Sequence, residues 1–188
     1  ANMLGFVKAQ TIDLFIYTIG VEHQVYYRPV PNPGSIAYLS SLGKDKRIKQ
    51  VPEFTFQKDE NVSGFLLIGT MKNLEPIYHH LKENHFDHLN SYFAEDVSMK
   101  GYYWLQAFHQ QANKGNMVEK LVDRLNFPLN KTMVFGDYLN DLDMFQVAGY
   151  SVAMENALPA VKESADQVIG SNSQGAVLDF LESIWMDT

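Results

Sequence analysis

Val134-Phe135-Gly136-Asp137-Tyr138-Leu139-Asn140-Asp141 carries the densest chemistry in the chain, and Lys114-Gly115 precedes its first residue by twenty positions. An apolar run delivers two carboxylates and an amide to its end, and a lysine on an upstream segment can reach the same place. A hard cation such as Mg²⁺ takes few carboxylates, several waters and phosphate oxygens rather than an all-protein cage. Asp137 with Asp141 suits that demand, and Lys114 can serve phosphate as a point charge if its loop lies beside Asp137. Asp and Asn are also favoured helix caps, so Asp137 or Asn140 could simply open the helix that follows. On this stretch alone both readings stand.

The elements that must position these residues alternate. Asn116 to Leu125 reads as a helix, with Met117, Val118, Leu121, Val122 and Leu125 on one face. Lys131 to Phe135 reads as a buried strand and Asn140 to Ala148 as a helix ended by Gly149. A strand Tyr150 to Met154, a helix Leu158 to Ala165, a short strand Gln167 to Ile169 and a helix Ala176 to Met186 complete residues 110–188. Such alternation implies βαβ units and a parallel sheet. Ligands of open parallel sheets bind outside the carboxyl ends of the strands, and Asp137 follows the apolar run at such an end.

Residues 1–109 read differently, as a β-rich α+β domain holding most of the aromatics. Strands are expected at Ile12 to Ile19, Val25 to Val30, Gly64 to Ile68, Leu89 to Ala94 and Tyr102 to Phe108. Asn32 before Pro33 reads as an N-cap with proline at the first helical position. Leu74, Ile77, Tyr78 and Leu81 give helical spacing over Asn73 to Glu83.

Composition narrows the classes. At 188 residues and 46% hydrophobic the chain can bury a real core as one domain or two small ones. A formal charge of −7, spread along the chain, argues against a nucleic-acid footprint. The absence of cysteine removes disulfides, thiolate metal sites and cysteine nucleophiles. No run approaches the roughly 20 apolar residues of a membrane span, and the first residues lack a signal-peptide pattern. A cytoplasmic protein is expected, and Ala1-Asn2 could be a cloning remnant.

The ordered set of motifs is more specific than any one of them. Lys114-Gly115, Gly136-Asp137-x-x-Asn140-Asp141-x-x-Met144, Ala148-Gly149, Val152-Ala153-Met154-x-Asn156-Ala157 and Val161-Lys162-x-x-Ala165-Asp166-x-Val168 occur in that order. They closely resemble the C-terminal half of the Cof-like hydrolases of the haloacid dehalogenase (HAD) superfamily, subclass IIB. The resemblance is dense over residues 110–180 and weaker before. It implies an α/β fold: the C-terminal part of a HAD Rossmann-like parallel-sheet core at 110–188, and an α+β cap domain at 1–109. It also implies a Mg²⁺-dependent phosphatase acting on a sugar phosphate or similar small phosphorylated metabolite. Carried over by position, Asp137 is the Mg²⁺ ligand. Asp141 is the second acidic position, supporting the metal's water shell or the lysine. Asn140 helps hold the phosphate side, and Lys114 offsets the charge of the transferring phosphoryl group. Asn156 is an outer candidate. Glu155 replaces a common glycine and would weaken phosphate affinity if it pointed inward.

The family's attacking group is not found. Its nucleophile is the first aspartate of a D-x-D-G-T strand end, and the second aspartate is the general acid and base. The one D-x-D here, Asp141-Leu142-Asp143, falls in an expected helix and lacks the Gly-Thr. Asp13 begins a strand rather than ending one, and Thr18 imitates the family's strand-end hydroxyl only as a cap residue. The expectation is therefore a truncated or proteolysed product, or that of a degenerate gene, lacking about 80 residues, a portion the size of a small domain, and inactive alone. One side of Lys131 to Phe135 would then be an unpaired apolar edge open to self-association.

Two other clusters have plainer readings. His79, His80, His85 and His88 do not follow the two-on-one-face spacing of a zincin, and a solvated helix end accounts for them. Tyr102, Tyr103, Trp104 and Phe108 could stack bases, but with this charge they read as a sheet face over the cap core.

Overall fold

The computed structural model describes residues 3–29, 31–85, 88–96 and 98–186. The chain divides between Gln110 and Gln111 into two compact units. The first holds α1 (Met3–Lys8), β1 (Asp13–Ile19), β2 (His23–Tyr27), α2 (Pro33–Ser41), β3 (Ile48–Gln50), β4 (Asn61–Gly69), α3 (Met71–His85), β5 (Leu89–Glu95) and β6 (Tyr103–His109). Its six-stranded sheet has the order β3-β2-β1-β4-β6-β5. Neighbours are antiparallel except β2 and β3.

β4 is the spine of this unit. Its residues Gly64 to Gly69 are all buried, so both faces of the sheet are covered there. The pleat sends alternate residues to opposite faces. Phe65 and Leu67 join Leu14, Ile16, Leu74 and Leu105 on one face. Leu66 and Ile68 join Phe15, Tyr38 and Trp104 on the other. Asn32 caps α2 as its type predicts, accepting the Ser35 N–H at 2.8 Å ahead of Pro33. Thr18 is buried in the sheet and donates to Glu60 at 3.1 Å.

Two elements of this unit escape the pattern reading. α1 is only six residues long and buries just Val7. β3 lies in a lysine-rich stretch with one apolar residue. Backbone bonds make it: Val25 N–H to Arg47 O and Val51 N–H to Tyr27 O, both 2.8 Å. Backbone pairing leaves no side-chain signature. Val30, the expected end of the second strand, lies outside the described residues.

The second unit holds α4 (Lys114–Arg124), β7 (Met133–Gly136), α5 (Leu142–Val147), β8 (Tyr150–Met154), α6 (Pro159–Glu163), β9 (Gln167–Ile169) and α7 (Ala176–Met186), with 3₁₀ turns at Leu129–Lys131, Leu139–Asp141 and Asn172–Gln174. Its sheet is parallel, order β7-β8-β9. Phe145, Ala153, Met154, Val161 and Ala176 form its core, and Phe135 meets Phe180 of α7 edge-on at 6.0 Å between ring centres. Among the described residues, no strand pairs with the second edge of β7.

Three expectations shift here. The strand begins at Met133, not Lys131, because Lys131 closes a 3₁₀ turn and the Thr132 hydroxyl donates back to Leu129 O at 2.6 Å. The expected helix Asn140 to Ala148 splits into a 3₁₀ turn and α5. The strand expected to be buried is only half-buried at Met133 to Phe135, and the apolar face formed by Met117, Leu121 and Leu125 is exposed.

Candidate active site

β7 ends at Gly136, and the chain must turn at once. Asp141 makes that turn. Its Oδ2 accepts the N–H groups of Asp137 (2.9 Å) and Tyr138 (3.0 Å), which bends the chain back onto the strand end. Its Oδ1 accepts the Lys114 ammonium. The Asp141 side chain is 4% exposed and that of Lys114 is 49%. A buried carboxylate is tolerable when each oxygen has donors, and Asp141 has three.

Both glycines flanking these residues are there for space. A Cβ on Gly136 would lie 2.5 Å from the Asp141 Cβ. A Cβ on Gly115 would lie 2.5 Å from the Asp143 carbonyl oxygen. Only a bare backbone lets the first turn of α4 press against α5, and that approach carries Lys114 to Asp141. Asn113 caps α4, accepting the Asn116 N–H at 2.7 Å. The cap reading of Asp137 and Asn140 does not match this geometry. α5 has Asp141 at its N-cap, and no side chain caps it there.

Asp137 is half-buried, and its Oδ2 accepts the Asn172 amide at 3.0 Å. Its carbonyl accepts the Leu158 N–H at 3.2 Å. Asn172 is the residue that pattern reading missed. It sits on the 3₁₀ turn just after β9, at the carboxyl end of a parallel strand, a position that could have flagged it. Asn156 holds this turn. Its Oδ1 accepts the Ser171 hydroxyl at 3.1 Å and the Asn172 N–H at 3.0 Å. Thus Lys114, Asp137 and Asp141 are brought together, with Asn156 behind them. Asn140 is half-buried in the middle of the turn, and among the described residues it bonds to none of the three. Glu155 is exposed, and its carbonyl takes the Lys162 ammonium at 3.2 Å.

The constellation therefore stands at the carboxyl ends of β7 and β9, with a half-exposed ammonium and a carboxylate beside it. Residues 3–181 match the haloacid dehalogenase-like hydrolase family. The chain belongs to this family. Among its relatives, 5-amino-6-(5-phospho-D-ribitylamino)uracil phosphatase YwtE of Bacillus subtilis is 31% identical over 144 residues, 73% of this chain and 46% of that protein. Of solved structures, SMU.1108c from Streptococcus mutans superposes with a TM-score of 0.75 at 23% identity, over 98% of this chain and 66% of that one. The HAD subclass IIB sugar phosphatase BT4131 gives 0.66 at 18% identity, over 90% and 60%. These likenesses show the fold: an α/β protein with a HAD Rossmann-like parallel sheet. The chain spans 30% to 46% of the length of the first curated relatives it matches.

Among the described residues no group of three His, Cys, Asp or Glu side chains gathers to hold a metal ion. His80 instead stacks on Phe6 at 4.0 Å between ring centres. No helix among them is long and apolar enough to cross a membrane.

Proposed function

We propose that the second unit is the metal- and phosphate-binding arm of a Mg²⁺-dependent phosphomonoesterase site for a small phosphorylated metabolite, and that the first unit is its cap. The observation that carries this reading is the joining of Lys114 and Asp141 at the turn that presents Asp137. The donor set fits Mg²⁺. Asp137 offers one carboxylate with an oxygen outside its bond to Asn172, and Mg²⁺ takes its remaining oxygens from water and phosphate. Bound there, Mg²⁺ would supply charge to polarise a phosphoryl oxygen. Asp141 was expected as a metal-side residue. With both oxygens taken, its role in this reading is to hold Lys114 and the Asp137 amide in place. Lys114 offsets phosphate charge, and Asn140 contacts the phosphate side.

Hydrolysis also needs an attacking group. No D-x-D-G-T run occurs in the 188 residues, which favours a second reading: this polypeptide binds metal and anion, or a partner chain, without turning over substrate. Among the described residues no strand pairs with the second edge of β7, which supports self-association in that case. The decisive experiment has two arms. Titration with Mn²⁺, a paramagnetic stand-in for Mg²⁺, should show one site that Asp137→Asn weakens at least about tenfold and Asn172→Ala weakens less. No site, or a site indifferent to Asp137, refutes the metal arm. Assay with p-nitrophenyl phosphate and Mg²⁺ should show no turnover. Turnover abolished by Asp137→Ala would refute the non-catalytic reading.

A further inference from the structure

Asp137 has two kinds of tether, and they do different work. Its main chain is held at both polar groups: the N–H donates to Asp141 at 2.9 Å, and the carbonyl accepts the Leu158 N–H at 3.2 Å. Its side chain is held, among the described residues, by the Asn172 amide alone, at 3.0 Å from Oδ2. The terminal torsion of an aspartate is broad and roughly two-fold. Without Asn172 the two carboxylate oxygens would be interchangeable. With it, Oδ2 is spent on a donor and the other oxygen is left for a cation.

Asn172 needs an anchor in turn, because it is exposed and opens a 3₁₀ turn of three residues. Ser171 stands at the N-cap of that turn and makes no capping bond. Its hydroxyl donates instead to Asn156 Oδ1 at 3.1 Å. The Asn172 N–H donates to the same oxygen at 3.0 Å, across 16 positions of sequence. Asn156 thus takes the place of the missing cap and ties the loop after β9 to the loop after β8. A long backbone bond, Glu155 N–H to Gly170 O at 3.4 Å, backs this link weakly.

The two common hard cations use a carboxylate differently. Ca²⁺ takes about 6–8 oxygens in flexible geometry and accepts both oxygens of one carboxylate, whereas Mg²⁺ is smaller and demands a near-ideal octahedron. A carboxylate with one oxygen engaged by an amide suits the smaller ion.

We infer that Asn156, acting through Asn172, holds Asp137 as a one-oxygen ligand and thereby makes the site select Mg²⁺ over Ca²⁺. Both asparagines are positioning residues, and neither is asked to touch the cation. The inference rests on the reading of Asp137 as a cation ligand and adds to it a choice of ion.

The test uses the 188-residue chain with Mn²⁺ as the probe, read by electron paramagnetic resonance, and Mg²⁺ and Ca²⁺ as competitors. Mg²⁺ should displace Mn²⁺ from the wild type at about tenfold lower concentration than Ca²⁺ does. Asn172→Ala and Asn156→Ala should each shrink that preference to about threefold or less. Asn172→Asp puts a second carboxylate where the donor stood and should shrink or reverse it. Asn156→Asp keeps an oxygen to accept from Ser171 and from the Asn172 N–H, so it should keep the wild-type preference. A merely structural role would lower both affinities together and leave their ratio unmoved. An unmoved ratio in both alanine variants, with Mn²⁺ still bound through Asp137, overturns the inference and leaves the reading of Asp137 intact. Equal displacement of Mn²⁺ by Mg²⁺ and Ca²⁺ in the wild type does the same. Mn²⁺ binding that is absent, or indifferent to Asp137→Asn, overturns both.

Discussion

Replacing Asp141 by Asn tests the reasoning about the site at its most exposed point. Asn keeps the shape and loses the charge. If its oxygen faces the Asp137 and Tyr138 N–H groups, now 2.9 and 3.0 Å from Oδ2, its NH₂ faces the Lys114 ammonium. If it flips, its NH₂ faces the two N–H groups. Either way donors oppose donors in a position where the side chain is only 4% exposed. Bonds to charged groups are worth about 1.5–3 kcal/mol, roughly twice neutral ones. The Lys114 share must be discounted, because its side chain is 49% exposed and water can take the ammonium. The net loss is about 2–4 kcal/mol. Urea unfolding followed by far-UV circular dichroism reads it as a lower midpoint at unchanged slope. Hydrogen exchange should show the Asp137 and Tyr138 amides losing protection. Lys114→Met should cost about half as much, since Asp141 keeps its two backbone donors. A loss under about 1 kcal/mol for Asp141→Asn, or equal losses for the two variants, would refute the view that Asp141 organises this turn.

Gly115→Ala puts a methyl 2.5 Å from the Asp143 carbonyl oxygen, and backbone cannot yield as a side-chain tip can. It should destabilise by about 1–3 kcal/mol despite alanine's better helix propensity, and lower Mn²⁺ affinity by moving Lys114, both readable in the titration above. Asp166 gives a pH prediction. The backbone N–H and then the hydroxyl of Ser151 hold its carboxyl below the ordinary 3.8. A depressed folded value means stabilisation that is fully present above the unfolded value and is lost as pH falls through the folded one. Between about pH 5 and pH 3 the wild type should lose stability more steeply than Asp166→Asn. Parallel curves in acid-urea unfolding would show that the Ser151 bonds carry no such linkage.

Much of the second unit was legible because its signals are local. The apolar runs at 133–136 and 150–154 become strands, the first half-buried up to Gly136 and the second buried from Ser151, whereas the fold-back of the Asp141 side chain onto its own backbone lay within what read as the start of a helix. The link from Lys114 to Asp141 was suspected from the two motifs, but it spans 27 positions and depends on the bare backbone of Gly115. Asn172 carried no motif, only its place past the end of β9, since its partner Asp137 lies 35 positions away. In the first unit, Asn32 before Pro33 announced α2, whereas β3 was silent because only backbone groups hold it.

The residue types alone marked which groups could do chemistry here: two carboxylates and an amide after an apolar run, a lysine upstream, and no D-x-D-G-T nucleophile run. Only the tertiary structure decided how Asp137 and Asp141 divide the work. Asp141 is buried and spends both oxygens on Lys114 and the turn, while Asp137 keeps an oxygen outside its bond to Asn172. Two aspartates look alike in a sequence. Burial and the supply of donors make one a brace and leave the other a carboxylate oxygen that no group among the described residues takes, and both are set by neighbours far along the chain.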